Sequence, residues 1–150
     1  MSFFETTQAD YDKKPIILID NSGSTSGNVL ENEVKVAHQI SKENEFEELY
    51  LSFWNNKVRS LDNNHQAISR EQLKTVLYDF KIRGEGTTQL TPMLKSVPDK
   101  WYEGKQSTDV YIITDGQIMD RGELNPEIKK LVDKNCTIYI VTVNNGRSHY

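Results

Sequence analysis

Ile16-Ile17-Leu18-Ile19-Asp20-Asn21-Ser22-Gly23-Ser24 is the stretch that decides the fold. A continuous apolar run of strand length reads as a strand buried on both faces, the pattern of a parallel sheet covered by helices. The run stops at a polar loop, and in open α/β sheets ligands sit just beyond the carboxyl ends of such strands. Asp20, Ser22 and Ser24 place one carboxylate and two hydroxyls at alternate positions of that loop. All are oxygen donors, which suit a hard cation such as Mg²⁺ rather than zinc.

Reading outward, Val110-Tyr111-Ile112-Ile113-Thr114 is a second buried strand, and it ends at Asp115-Gly116. Between the two strands lies the loop Gly84-Glu85-Gly86-Thr87-Thr88. Val29, Leu30, Val34, Val36, Ala37 and Ile40 form a helical stripe within Asn28 to Ser41. Leu49, Leu51 and Phe53 alternate with Tyr50, Ser52 and Trp54, which predicts a strand, and Asn55-Asn56 is a hairpin turn into an antiparallel partner at 57–61. Ser69-Arg70-Glu71-Gln72 matches a capping box ahead of Leu73, Val76, Leu77 and Phe80. Thr91-Pro92 and Asn125-Pro126 each read as an N-cap followed by proline at the first helical position, the second helix turning Ile128, Leu131 and Val132 inward. Thr137 to Val143 is the last strand. The order β-α-β-β-α-α-β-α-β predicts a doubly wound, three-layer α/β fold, its mostly parallel sheet carrying one antiparallel strand and its first strand central. Residues 1–14 read as a tail or edge segment and 15–150 as one compact domain.

Composition narrows the function. The 150 residues carry a net charge of −4, with 18 basic and 22 acidic side chains well mixed. No Lys/Arg stripe marks a nucleic-acid binder. No apolar stretch approaches the roughly 20 residues needed to cross a bilayer, and the first residues do not form a signal peptide. Cys136 is the single cysteine, which fits a reducing compartment, so a cytoplasmic protein is expected.

Three segments occur in a fixed order: Asp20-x-Ser22-x-Ser24, Gly86-Thr87, and Asp115 after a second hydrophobic strand. Together they resemble the metal-ion-dependent adhesion site of von Willebrand factor type A domains, over roughly Pro15 to Val143. The resemblance implies that Ser22 and Ser24 ligate the ion directly and that Thr87 adds a third hydroxyl, directly or through water. It implies that Asp20 and Asp115 hold the ion through bound waters. The ion would be Mg²⁺, with Mn²⁺ or Ca²⁺ as alternatives. Neutral inner ligands leave it open to one more anionic oxygen, an Asp or Glu of a protein partner. Thr88 is the alternative to Thr87, and Glu85 stands where many members have glycine. Both residues are expected on the partner side of the site, where Glu85 either is a solvated loop charge or tightens metal binding and weakens an acidic partner.

The rival readings are enzymes and a bare scaffold. A dehalogenase-type phosphatase needs a second Asp where Ser22 stands, and a serine hydrolase needs serine where Gly23-Ser24-Thr25-Ser26-Gly27 has Thr25. A receiver-type phosphoacceptor would use Asp20, but its acidic pair and its lysine are not evident. A structural domain with no metal is the last alternative. His38, His65 and His149 fall on a helix flank, in a loop and in the tail, so none is placed as a base, and Asp120 is expected at the surface. Family members continue past the last strand through a helix, an edge strand and a final helix. Here Asn144 to Tyr150 follow it, so Thr137–Val143 is expected to be an edge covered by the tail or by another chain, as in a dimer.

Overall fold

The computed structural model describes residues 13–60, 66–102, 107–116 and 118–143. Most of the expected tail, the loop at 62–65, Leu61, His65 and the segment Asn144–Tyr150 with His149 lie outside the described residues. The sheet is built from β1 (Ile16–Asp20), β2 (Glu48–Trp54), β3 (Val58–Ser60), β5 (Thr108–Thr114) and β6 (Cys136–Thr142), in the order β3-β2-β1-β5-β6. β1 pairs in parallel with β2, Ile16 opposite Tyr50, and with β5, Ile16 opposite Val110. β6 runs parallel to β5, and β3 returns antiparallel to β2 through the Asn55-Asn56 turn. A two-residue strand, β4 (Ile68–Ser69), pairs antiparallel with the start of β2 and was not legible in the sequence.

β1 is central because every one of its side chains is apolar or ends the strand, and all are buried. Each fully buried Ile or Leu contributes about 1.5–3 kcal/mol relative to exposure. On one face Ile17 and Ile19 pack with Leu30, Val34 and Ala37 of α1 (Asn28–Glu43) and with Leu73 and Val76. On the other, Ile16, Leu18 and Trp54 pack with Leu90, Met93 and Leu94 around α3 (Thr91–Lys95) and with Leu131 of α4 (Leu124–Asp133). The result is the doubly wound three-layer architecture.

Several local expectations are corrected: α4 begins at Leu124 after Glu123 rather than behind an Asn125 cap, Val132 on it is exposed rather than inward, and the two helices before it also differ. The helix after Ser69 is real but divided: the capping box opens a 3₁₀ segment at Arg70–Lys74, and after Thr75 the single turn α2 (Val76–Asp79) follows. The cap of α3 is not Thr91. Leu90 precedes the helix, and the carboxylate of Asp120 accepts hydrogen bonds from Leu90 N (2.9 Å) and Thr91 N (2.8 Å). Asp120 is thus a half-buried cap rather than a surface residue. Burial pushes its carboxyl up, but the bonds from Thr91 and Leu90 outweigh it and hold the group below its usual value. A depressed folded-state value contributes stability above the unfolded pKa and loses it as pH falls through the folded one. Asp120→Ala is expected to cost about 1 kcal/mol in urea melts at neutral pH, and this difference should shrink on acidification.

Candidate metal centre

The chain leaves β1 toward β2 on one side of the sheet and later crosses over to build β5 and β6 on the other. The carboxyl ends of β1 and β5 therefore flank the switch point, where a crevice opens. Asp20 is the last residue of β1 and Asp115 follows the last residue of β5.

Asp20 is fully buried, and both of its oxygens are engaged. Ser22 N donates to Oδ1 (2.8 Å) and the Thr114 hydroxyl donates to Oδ2 (2.7 Å). The first bond folds the loop back on the strand end, and the second ties β1 to β5. Burial raises the Asp20 carboxyl above its ordinary value; the bonds from Ser22 and Thr114 oppose the rise, and the nearby Asp115 adds to it. A cation beside Asp20 would remove that penalty.

The loop then makes a 3₁₀ turn at Gly23–Thr25, closed by the Thr25 hydroxyl donating to Ser22 O (2.7 Å). Thr25 is buried, so this bond is structural. The turn brings the Ser22 and Ser24 hydroxyls to 3.1 Å from one another, Ser22 buried and Ser24 exposed. Adjacent ligands of an octahedral Mg²⁺ at 2.0–2.1 Å stand about 2.9 Å apart. The donor pair therefore fits such an ion. Among the described residues no three His, Cys, Asp or Glu side chains gather as a metal-holding group. An ion here would be held mainly by hydroxyls and water.

The Gly-Thr loop is fastened to this turn by backbone bonds. Gly23 N donates to Gly86 O (2.9 Å) and Glu85 N to Asn21 O (2.8 Å). Asn21 Nδ2 donates to Arg83 O (3.1 Å). The β2–β3 turn grips the same loop: Asn55 Nδ2 donates to Glu85 O (2.9 Å), and Thr87 N donates to Asn56 Oδ1 (3.3 Å). Gly86 sits at φ 77°, and a side chain there would meet Asn56 Oδ1. Thr87 is exposed beside the Ser22–Ser24 turn, whereas Thr88 is buried and its carbonyl accepts from Met119 N (2.7 Å). Glu85 is exposed, its carboxylate 3.6 Å from Arg83. Asp115 is half-buried. Asp20, Ser22, Ser24 and Asp115 are thus drawn to one end of the sheet, with Gly86-Thr87 laid against them.

Sequence reading missed Thr114, Asn55, Asn56 and Glu33 as parts of this neighbourhood. Glu33 had a signal: it lies three residues after Leu30 and four before Ala37, on the stripe that packs inward.

Known proteins extend the comparison. The chain spans 66% of a BatB protein from Bacteroides thetaiotaomicron, at 15% identity over 87% of its own length, with a TM-score of 0.61. An aerotolerance-related membrane protein from Bacteroides fragilis matches 92% of the chain and 75% of its own length at 12% identity and a TM-score of 0.61. The manganese-loaded TRAP protein of Plasmodium vivax matches 93% of the chain and 60% of its own length at 19% identity and a TM-score of 0.65. These likenesses are of fold. No curated protein matches the sequence. The family model of the von Willebrand factor type A domain matches residues 16–149, which takes in both buried strands, the Asp-x-Ser-x-Ser turn and the Gly-Thr loop. The chain belongs to the von Willebrand factor type A domain family.

Proposed function

We propose that this domain binds an acidic side chain of a protein partner through a Mg²⁺ ion held at Ser22, Ser24 and Thr87, with Asp20 and Asp115 fixing the ion's waters. Domains of this family commonly serve as protein-interaction modules. The observation that carries the metal reading is the pair of hydroxyls 3.1 Å apart beside a buried carboxylate. Two nearby carboxylates balance the ion, and neutral inner ligands keep it attractive to an incoming Asp or Glu. Mn²⁺ is a useful substitute probe, since the TRAP protein carries manganese.

The site suits binding rather than turnover. A hydrolytic metal centre combines an activated water with a general base. His38 sits on α1 with its Nε2 3.9 Å from Glu71, and none of the residues that make up the site is a histidine. The reading therefore includes no catalysis, and a reducing, cytoplasmic setting where Mg²⁺ is the abundant divalent ion.

Calorimetric titration with Mg²⁺ tests it. Wild type is expected to bind, Ser24→Ala to bind about 10–100-fold more weakly, and Glu85→Ala to change little. Immobilised peptides ending in Asp or Glu should retain the domain in Mg²⁺ and release it in EDTA. A flat Mg²⁺ titration, or retention that survives EDTA, overturns the reading.

A further inference from the structure

α1 turns one acid inward. Glu33 shares the helix face of Leu30, Val34 and Ala37, the residues that pack on Ile17 and Ile19, and it is fully buried. Among the described residues neither of its carboxylate oxygens has a hydrogen-bond partner. The charges that act on it are those of Asp20 and Asp115. Burial, and then those two carboxylates, push its own carboxyl up to about 10. Among the described residues no ion pair with Lys or Arg offsets it.

A buried, unpaired carboxyl is costly to stability, and an apolar side chain of similar size would serve a purely structural role better. Its position makes the cost intelligible. α1 packs on β1, β5 and the Gly23–Thr25 turn, the same elements that carry Asp20, Asp115 and the paired serines. Among the described residues, the charges acting on Glu33 are all negative.

We infer that Glu33 is a third carboxylate of the cation site, a positioning residue on the inward face of the helix that packs on β1, β5 and the Gly23–Thr25 turn, and that it strengthens the hold on a divalent ion from the protein side. This rests on the metal reading above and adds to it a residue outside the three loop segments. A third acid close to the ion would add to the pull on it from the protein side, so the site would hold its ion more tightly. Glu33 acts through the Asp carboxylates and the bound waters.

The test is Mg²⁺ calorimetry together with thermal melts in EDTA and in Mg²⁺, on wild type, Ser24→Ala, Glu33→Gln and Glu33→Met. Both Glu33 variants remove the ionisable carboxyl at nearly constant volume, and Met fits the apolar surroundings should Gln fail to fold. Expected are melting points in EDTA at or above wild type, Mg²⁺ affinity reduced about 10–100-fold, and a smaller rise in melting point on adding Mg²⁺. A merely structural Glu33 would shift the EDTA melts and leave Mg²⁺ affinity at the wild-type value, which overturns the inference while the Ser24→Ala loss upholds the metal reading. Absence of Mg²⁺ binding in wild type overturns both.

Discussion

Asp20→Asn is expected to abolish measurable Mg²⁺ binding while the protein stays folded. Asn keeps a carbonyl oxygen for the Ser22 N–H, whose bond to Asp20 Oδ1 (2.8 Å) shapes the turn. It removes a charge that burial and Asp115 disfavour, so the protein in EDTA should melt no lower than wild type. Asp20→Ala separates the two effects. It leaves the Ser22 N–H and the Thr114 hydroxyl without their acceptor inside a fully buried site. Each orphaned group costs about 1–3 kcal/mol. Ala should therefore lose both binding and stability, and Asn should lose binding alone. Wild-type Mg²⁺ affinity in Asp20→Asn would remove the carboxylate from the site.

Gly84→Ala is expected to damage the centre from a position with no ligand of its own. A Cβ there would stand 2.8 Å from Ser22 O and 2.8 Å from Ser26 N, both backbone atoms. Neither can yield without moving the turn that presents the Ser22 and Ser24 hydroxyls. Overpacking of this kind costs about 1–3 kcal/mol, and the displaced turn should weaken Mg²⁺ binding in parallel. Gly122→Ala is the control, because a Cβ at Gly122 meets nothing within 4 Å. Urea melts in EDTA and Mg²⁺ calorimetry on the two variants check the contrast. Equal behaviour would mean that the two loops do not depend on their close approach.

The parts of the fold that were legible in the sequence are those written in short-range pattern. Ile16–Ile19 and Val110–Ile113 are runs too apolar for a half-exposed strand, and both are fully covered in the sheet. Asn55-Asn56 announced the antiparallel β3 because two such residues between strands form a tight turn. What was not legible depends on contacts distant along the chain. Asp120 caps a helix that begins 29 residues earlier. The bond from Thr114 to Asp20 joins residues 94 apart, and no local periodicity records it. At Thr91 a plausible side-chain cap lost to a carboxylate brought in by the fold. Asp20-x-Ser22-x-Ser24 and Asp115 were visible because each lies at the end of an apolar strand, whereas Gly86-Thr87, in the loop between α2 and α3, was found through the family pattern. Glu33 was passed over because a single acid on an apolar stripe reads as a break in the pattern.

The Asp20–Thr114 bond has a further consequence. Asp20, Gly86-Thr87 and Asp115 meet only after β1 has paired with β5, across nearly the whole domain. An unfolded chain therefore presents no cation site, and any ion that binds acts on the folded population alone. By mass action such an ion stabilises the domain by about 2.7 kcal/mol when its free concentration is one hundred times the dissociation constant. The domain's lifetime against proteolysis would then track the divalent-ion concentration around it, which couples how long the protein persists to whether it is loaded for its partner.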